Sequence, residues 1–186
     1  MDISILLQDI VACEGWIAGS YVRDVLVRQD PNYVIRDLDV LIPFELHKKL
    51  VTTLMKKYNL DQEVLDYNPD EHIIHTELDS GTVIIDIFSS EEYEYLSPPD
   101  FDVNTLCWTG EKFTIWYPVR DNEEELYKYP LDVDSIKQRA LANEAIAMMG
   151  EWSDFDKEYM IQRFYKLANK GWSILNYEEA SEFLVK

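Results

Sequence analysis

The spacing of apolar residues divides the chain into a mixed first part and a helical last part. Apolar positions recur at helical spacing over residues 3–11 and 21–28 and again after Pro43, which predicts three helices. Short apolar or alternating runs separated by turn residues predict strands. These predicted strands cover residues 15–19, 36–42, 64–67, 72–77, 82–88 and 112–119. Residues 79–81, Asp-Ser-Gly, are predicted to form a hairpin loop.

From Asp134 onward the pattern is helical to the end of the sequence. Ser135 is predicted to cap a helix that reaches about residue 149. Ser153, with an acidic residue three positions later, resembles a capping box for a helix that ends near Gly171. Asn176 is predicted to cap a last short helix with two glutamates in its first turn. We therefore expect an α/β unit followed by a helical segment.

The length and composition are those of a folded protein of one ordinary domain, or of one domain plus a short appendage. The 186 residues are 47% hydrophobic and 13% aromatic, which is enough to bury a core. Cys13 and Cys107 are too few for a disulfide scaffold and are predicted to be core thiols. The N-terminal residues lack a targeting pattern, and no apolar run is long enough to span a bilayer. We expect a cytoplasmic protein that does not bind membranes.

Charge narrows the choice of partners. With 17 Lys and Arg against 36 Asp and Glu, the formal net charge is −19, which weighs against a general nucleic-acid coat. Between Lys57 and Lys112 there are fourteen acidic residues and no Lys or Arg. This acidity is either a solvated surface or, in part, the surroundings of a bound cation.

Three carboxylates are candidates for that cation site. Asp37 and Asp39 are two positions apart on a predicted strand, so both project from the same face, where they repel each other unless a cation lies between them. Asp86 is flanked by aliphatic residues on another predicted strand. If the two strands are neighbours, the three acids converge and suit two Mg²⁺ ions that catalyse displacement at phosphorus.

A possible phosphate site precedes the acids. Gly19 and Ser20 stand between a predicted strand and a predicted helix. The glycine allows the backbone to approach a phosphate, the serine adds a hydroxyl, and the helix offers its positive N-terminus. Arg23, one turn into the helix, could reach a triphosphate.

Taken together, residues 15–26 and 36–40 resemble the head-domain signature of class II CCA-adding enzymes and bacterial poly(A) polymerases. That family belongs to the DNA polymerase β nucleotidyltransferase superfamily, and its signature is Gly-Gly-x-Val-Arg-Asp followed by Asp-x-Asp. Residues 81–86, 100–106 and 163–172 are similar to later segments of the family. The resemblance implies an α+β fold with a polymerase β-like mixed sheet and flanking helices. It further implies a nucleotidyltransferase head at 1–125 and a helical neck-like segment at 126–186 packed on the head.

The resemblance also implies a reaction and its residues. The reaction is transfer of a nucleoside monophosphate from an NTP such as ATP to a hydroxyl, by implication an RNA 3′ end such as that of tRNA. Asp37 and Asp39 would bind two Mg²⁺ ions, and Asp86 would complete the triad and assist the attacking hydroxyl. The nucleotide's phosphates and sugar would be held by Gly19, Ser20, Arg23 and Asp24, with Asn104 supporting the site.

Departures from the family pattern leave the acceptor open. Ser20 replaces the second glycine, Pro98 and Pro99 stand where the family has two arginines, and Tyr159 takes the place of a base-reading arginine. The sequence also ends just past the neck, so faithful CCA addition is not expected. The alternatives are the same chemistry on a small-molecule or protein acceptor, or a catalytically idle nucleotide-binding partner subunit.

Other chemistry-bearing residues have simpler explanations. His72 and His75 face opposite sides of a predicted strand and are poorly placed to share a metal. Three basic residues of the C-terminal helical part share a face that either contacts RNA phosphates or is simply solvated; they are Arg163, Lys166 and Lys170. Six aromatic residues are predicted to serve in packing, with one or two able to stack on a base: Tyr93, Tyr95, Phe101, Trp108, Trp116 and Tyr117.

Overall fold

The computed structural model describes residues 2–58, 71–78, 81–89, 100–116, 129–148 and 154–185. The predicted strand at 64–67, loop residues 79–80 and three of the aromatics (Tyr93, Tyr95 and Tyr117) lie outside these ranges. The chain forms two compact units. The first comprises Met1–Leu96 and Cys107–Thr114, and the second comprises Ser97–Leu106 and Ile115–Lys186. The second unit thus includes a segment from before residue 125, and the functional boundary at that residue remains a prediction.

A mixed sheet forms the centre of the first unit. Its strands are β1 (Trp16–Ile17), β2 (Asp37–Ile42), β3 (Glu71–Leu78), β4 (Gly81–Ser89), β5 (Leu106–Trp108) and β6 (Phe113–Ile115). They lie in the order β3-β4-β2-β1-β5-β6. The β2–β4 pair is parallel, whereas β1 pairs antiparallel with β2 and β5, and β3 pairs antiparallel with β4. Strand predictions within the described ranges are confirmed, and the β3–β4 pairing agrees with the predicted hairpin.

Three helical segments of the first unit match the predictions in position. These are α1 (Ile3–Ala12), a π-helix (Tyr21–Val27) and α2 (Phe44–Tyr58). The Asp2 carboxylate caps α1 by accepting the Ser4 amide at 2.8 Å. Helix α2 buries Leu50, Val51 and Leu54 from its predicted apolar stripe. Both cysteines are buried, as expected of core thiols.

The second unit is mainly helical. It contains a 3-10 turn (Asp102–Asn104), α3 (Val133–Ala142), β7 (Glu144–Ala145), α4 (Asp154–Asn169), β8 (Ser173–Ile174) and α5 (Tyr177–Val185). Phe164 packs edge-on against Phe101 and Tyr177, with ring centroids 5.5 and 5.7 Å apart. Among the described residues, no helix is both long and apolar enough to cross a bilayer.

The predicted cap and length of α3 are wrong. The Asp132 carboxylate caps the helix by accepting the amides of Asp134 and Ser135, each at 3.0 Å. Asn143, with φ of 56°, adopts the left-handed conformation that ends a helix, and the chain then enters β7. The short parallel β7–β8 pair has no periodicity signal in the sequence.

The predicted cap of α5 also differs from the structure. Asn176 does precede α5, but its buried side-chain amide exchanges two hydrogen bonds with the backbone of Ala147, at 2.8 and 2.9 Å. Because a buried amide must satisfy both its oxygen and its NH₂ group, this backbone partner engages the side chain.

Candidate nucleotide and metal site

The two strands that carry the acids are neighbours in the sheet, which is the condition under which the three acids are predicted to converge. In the parallel β2–β4 pair, Asp39 is the direct partner of Asp86, and Asp37 is the partner of Ile84. Partners in a parallel register point to the same face, so the three carboxylates lie on one face of the sheet. Asp37 is exposed, whereas Asp39 and Asp86 are partly buried.

The opposite face of these strands is the core. Leu38 and Val40 of β2, together with Val83, Ile85 and Ile87 of β4, have no exposed surface. Because side chains alternate between faces, burial of these aliphatic residues fixes the acids on the other face. A slip of one residue in register would bury the carboxylates and expose the aliphatic side chains.

A glycine turn lies directly against the acids. Gly19 has φ of +66°, a conformation that favours glycine, and a Cβ at this position would lie 1.7 Å from Asp39 Oδ2. The neighbouring Ala18 amide donates to the Asp39 carbonyl oxygen at 2.9 Å. The turn after β1 is therefore held beside β2, with its backbone close to a candidate metal ligand.

Gly19→Ala is expected to damage the site more than the fold. Left-handed backbone costs an alanine about 1–2 kcal/mol, and the new methyl group displaces the Asp39 carboxylate, which can rotate away. Gly171→Ala is the matched control, because Gly171 has φ of +80° and open space around its Cβ position. Both variants should lose similar stability in urea unfolding, and only Gly19→Ala should lose Mn²⁺ affinity. Equal Mn²⁺ affinity in the two variants would contradict the placement of Asp39.

The donor set suits a hard cation that also binds substrate. All three candidate ligands are carboxylates, the ligand type that Mg²⁺ prefers. Across the described ranges, no three His, Cys, Asp or Glu side chains are grouped as ligands of one ion. Mg²⁺ is commonly held by one or two carboxylates plus substrate phosphates, so the Asp39–Asp86 pair fits that mode of binding.

Ser20 connects the glycine turn to Asp37. Its Oγ lies 2.5 Å from the hydroxyl oxygen of Tyr33 and donates to Asp37 Oδ1 at 3.4 Å. Burial, chiefly, and the negative charges of Asp37 and Asp24 raise the pKa of Tyr33 above its ordinary value. Tyr33 was missed in the sequence, where it follows turn residues and belongs to no motif.

Arg23 and Asp24 form a buried ion pair inside the π-helix. Arg23 Nε donates to Asp24 Oδ1 at 3.0 Å, Arg23 Nη2 contacts Asp24 Oδ2 at 2.5 Å, and Arg28 Nη1 donates to Asp24 Oδ1 at 2.9 Å. Both Arg23 and Asp24 are only 4% exposed. Burial alone would raise the pKa of Asp24. The hydrogen bonds that Arg23 and Arg28 donate, together with their positive charges, outweigh this effect and lower the pKa.

The lowered pKa of Asp24 predicts a loss of stability in acid. A carboxyl whose pKa is lower in the folded state stabilises the fold above its unfolded pKa, and that contribution disappears as the pH falls through the folded value. We expect the urea midpoint of the wild type to decrease below about pH 4. The Asp24→Asn variant should start lower at pH 7 and show a shallower decrease. Parallel pH profiles of the two proteins would exclude this assignment.

Asn104 belongs to the second unit. Its side-chain amide donates to Asp100 Oδ1 at 2.6 Å, and its backbone carbonyl oxygen accepts the Trp116 indole N–H at 2.9 Å. Arg163 Nε donates to the other oxygen of Asp100. Support of the nucleotide site by Asn104 remains a prediction. Because Arg163 contacts Asp100, the exposed cations of the basic face described in the sequence are Lys166 and Lys170.

Comparisons with known proteins identify the fold. No protein-family model matches the sequence, and no curated protein matches it either. The Thermotoga maritima CCA-adding enzyme, solved in complex with tRNA, aligns with 99% of this chain at a TM-score of 0.57 and 15% identity. The chain spans 42% of that enzyme's length. Two CCA-adding enzyme structures, with ATP and with CTP, align with 80% of this chain at 13% identity, with TM-scores of 0.46 and 0.45, over 34% and 35% of their lengths.

The first of these alignments defines the class of fold. The chain has an α+β fold of the polymerase β-like nucleotidyltransferase kind, with a mixed sheet and flanking helices, as predicted. At 15% identity the likeness concerns the fold, and the chemistry has to be argued from the residues themselves.

Proposed function

We propose that this protein is a Mg²⁺-dependent nucleotidyltransferase that moves a nucleoside monophosphate from an NTP to a hydroxyl acceptor, an RNA 3′ end such as that of tRNA. The observation that carries the proposal is the direct pairing of Asp39 with Asp86, beside a glycine turn in contact with Asp39. Carboxylates that hold cations beside a glycine turn, whose backbone can approach a phosphate, suit in-line transfer at phosphorus.

Each residue of this face has a proposed task. Asp37 and Asp39 hold the cations, and Asp86 completes the ligand set and accepts a hydrogen bond from the attacking hydroxyl. Bound Mg²⁺ supplies neutralisation of the triphosphate charge and Lewis-acid activation. The backbone at Gly19 and the Ser20 hydroxyl approach the phosphates. Arg23 contributes positive charge from the π-helix that follows the turn, and Asp24 keeps that arginine in place.

A transfer assay with three classes of acceptor tests the proposal. The purified protein is incubated with each α-labelled NTP and Mg²⁺, and with tRNA, a set of small hydroxyl compounds, or protein acceptors. We expect labelled RNA and stoichiometric pyrophosphate, both absent in the Asp37→Ala variant. If no acceptor is labelled and Asp37→Ala matches the wild type in Mg²⁺-dependent NTP binding, the proposal is wrong.

Net charge favours a second candidate acceptor. At −19, the protein repels a phosphate backbone at long range, which a small molecule or a protein hydroxyl does not present. In the same assay, label in the small-molecule or protein fraction, with none in RNA, would establish this alternative. The metal site and the Asp37→Ala control are unchanged by that outcome.

The buried Arg23–Asp24 pair favours an idle nucleotide-binding subunit as a third candidate. An arginine held by an internal carboxylate is not presented to a triphosphate in this conformation. Calorimetry with and without Mg²⁺ separates the candidates, because tight Mg²⁺-dependent NTP binding with no turnover on any acceptor indicates a binding subunit. Asn104 is proposed to act in either case as a support for the nucleotide.

A further inference from the structure

A tyrosine outside every recognised motif is connected to the candidate metal face. The hydroxyl of Tyr33 lies 2.5 Å from Ser20 Oγ, and Ser20 Oγ lies 3.4 Å from Asp37 Oδ1. Tyr33 follows a turn in which the Asp30 carboxylate accepts the Asn32 amide and the Tyr33 amide donates to the Asp30 carbonyl oxygen. The backbone at Tyr33 is therefore held by contacts within its own loop that do not involve Ser20.

The order of protons along this chain follows from the groups themselves. An ionised carboxylate only accepts hydrogen bonds, and a serine hydroxyl has a single proton to donate. Because Ser20 donates its proton to Asp37, the short contact with Tyr33 requires the phenol to be the donor. Burial, first, and the nearby acids raise the pKa of Tyr33, so the phenol keeps that proton at neutral pH. The hydrogen bonds thus run from Tyr33 to Ser20 to Asp37.

We propose that Tyr33 is a positioning residue that orients the Asp37 carboxylate for metal binding through the Ser20 hydroxyl. This inference rests on the proposed function, because it assigns Asp37 the role of a metal ligand. Asp37 is the most exposed of the three acids, and its register partner on β4 is Ile84, which is not an acid. Loss of an outer hydrogen-bond partner that fixes a ligand's orientation typically lowers metal affinity about 10- to 100-fold, and a partner that acts through one further hydroxyl is expected to fall at or below the lower end of that range.

The chain of hydrogen bonds from Tyr33 through Ser20 to Asp37, which we call the relay, assigns a role to the serine at position 20. A glycine there would leave Tyr33 with no side chain through which to reach Asp37. The serine at the second position of the turn and the tyrosine thirteen residues later therefore act as one unit. Two residues that act through a single chain of contacts have non-additive effects when substituted.

The test measures Mn²⁺ affinity by electron paramagnetic resonance in the absence of nucleotide, so the readout does not depend on turnover. Tyr33→Phe removes only the hydroxyl and is expected to weaken Mn²⁺ binding about 3- to 10-fold. Ser20→Ala should weaken it at least as much, and the double variant should be no weaker than Ser20→Ala alone. Tyr58→Phe is the matched control, because its hydroxyl contacts a carboxylate, Asp9, away from the candidate site.

The outcomes separate this inference from the proposed function. Unchanged Mn²⁺ affinity in Tyr33→Phe, or losses that add up in the double variant, overturns the relay. A Tyr33→Phe protein that is less stable in urea but binds Mn²⁺ like Tyr58→Phe shows a purely structural role and also overturns it. If Asp39→Asn binds Mn²⁺ as well as the wild type, the metal site itself is wrong and the relay fails with it. Should Tyr33→Phe not fold, Ser20→Ala alone decides, since it removes the same link.

Discussion

Asp39→Asn is expected to reduce nucleotidyl transfer at least a thousandfold, roughly 4 kcal/mol of transition-state stabilisation. The substitution preserves the shape of the side chain and removes its charge. Asp39 is the residue whose partner across the sheet is another acid and whose carboxylate lies against the glycine turn. Among the described acids of this face, Asp39 alone has both neighbours, so its loss removes the centre of the site. Single-turnover assays with labelled NTP measure the effect.

A matched control and a second variant make this result interpretable. Glu45→Gln removes a charge from an exposed position in the first turn of α2 and should leave transfer within about twofold of wild type. Asp86→Asn should resemble Asp39→Asn, because the two residues are direct partners on paired strands and project from the same face. Transfer by Asp39→Asn within tenfold of the wild-type rate would rule out a metal-dependent mechanism at this face.

The sequence alone predicts the sheet strands of this site well. In β2, Asp37 and Asp39 alternate with Leu38 and Val40, and that alternation assigns these side chains to opposite faces. In β4 a single acid, Asp86, interrupts an apolar run, so alternation does not assign its face. The pairing of Asp39 with Asp86 needed one further assumption, that the two strands are neighbours. The structure confirms the assumption, and in its parallel register Leu38 and Ile85 are buried on the same side.

Other features depend on contacts that no local pattern encodes. The helical period at residues 21–28 predicts a helix but does not distinguish a π-helix, in which the Arg28 amide donates to the Arg23 carbonyl oxygen at 3.1 Å. The same segment predicts an arginine near phosphate, which remains a prediction, and its pairing with the neighbouring Asp24 and the burial of both side chains have no signature in the helical period. Tyr33 is near Ser20 only because the loop folds back, which has no signature in residue spacing.

The end of α3 illustrates a different limit. Helical periodicity continues past Ala142 in the sequence and therefore predicts a helix that reaches about residue 149. Asn143 in the left-handed conformation and the pairing of Glu144 with Ser173 stop the helix. Strand partners 29 residues apart in the chain are a tertiary property that overrides a local preference.

The second large effect is expected in the other unit, where Arg139→Met should destabilise the protein by about 3–5 kcal/mol. Arg139 Nε donates to Asp102 Oδ2 at 2.7 Å, and the Asp102 side chain has no exposed surface. The Ile146 amide donates to the other oxygen of Asp102, also at 2.7 Å. Removing the arginine leaves a buried carboxylate whose pKa is still lowered by backbone hydrogen bonds from Ile146 and Val103 but that has lost the opposite charge of Arg139. Urea unfolding followed by circular dichroism measures the loss.

Two comparison variants distinguish the stability lost by leaving a buried charge unpaired from the stability lost by truncating an arginine side chain. Arg163→Met removes an arginine from the more exposed pair with Asp100, where the side chains are 26% and 9% exposed, and should cost only about 1 kcal/mol. Combining Arg139→Met with Asp102→Asn should recover more than half of the lost stability, because a neutral amide still accepts the Ile146 N–H. An equal cost for the two arginine variants would show that burial of the Asp102 charge is not the cause.

The pH dependence of Arg139→Met gives an independent check on that cause. Burial raises the pKa of Asp102 even in the wild type, and Arg139 opposes the shift. Without the arginine, the folded-state pKa should rise further above the unfolded value. A carboxyl with a raised folded pKa binds its proton more tightly when folded, so stability is highest in acid and falls as the pH rises toward the folded pKa. The deficit of Arg139→Met relative to wild type should therefore be smaller at pH 5 than at pH 7, whereas a defect in packing alone would be the same at both.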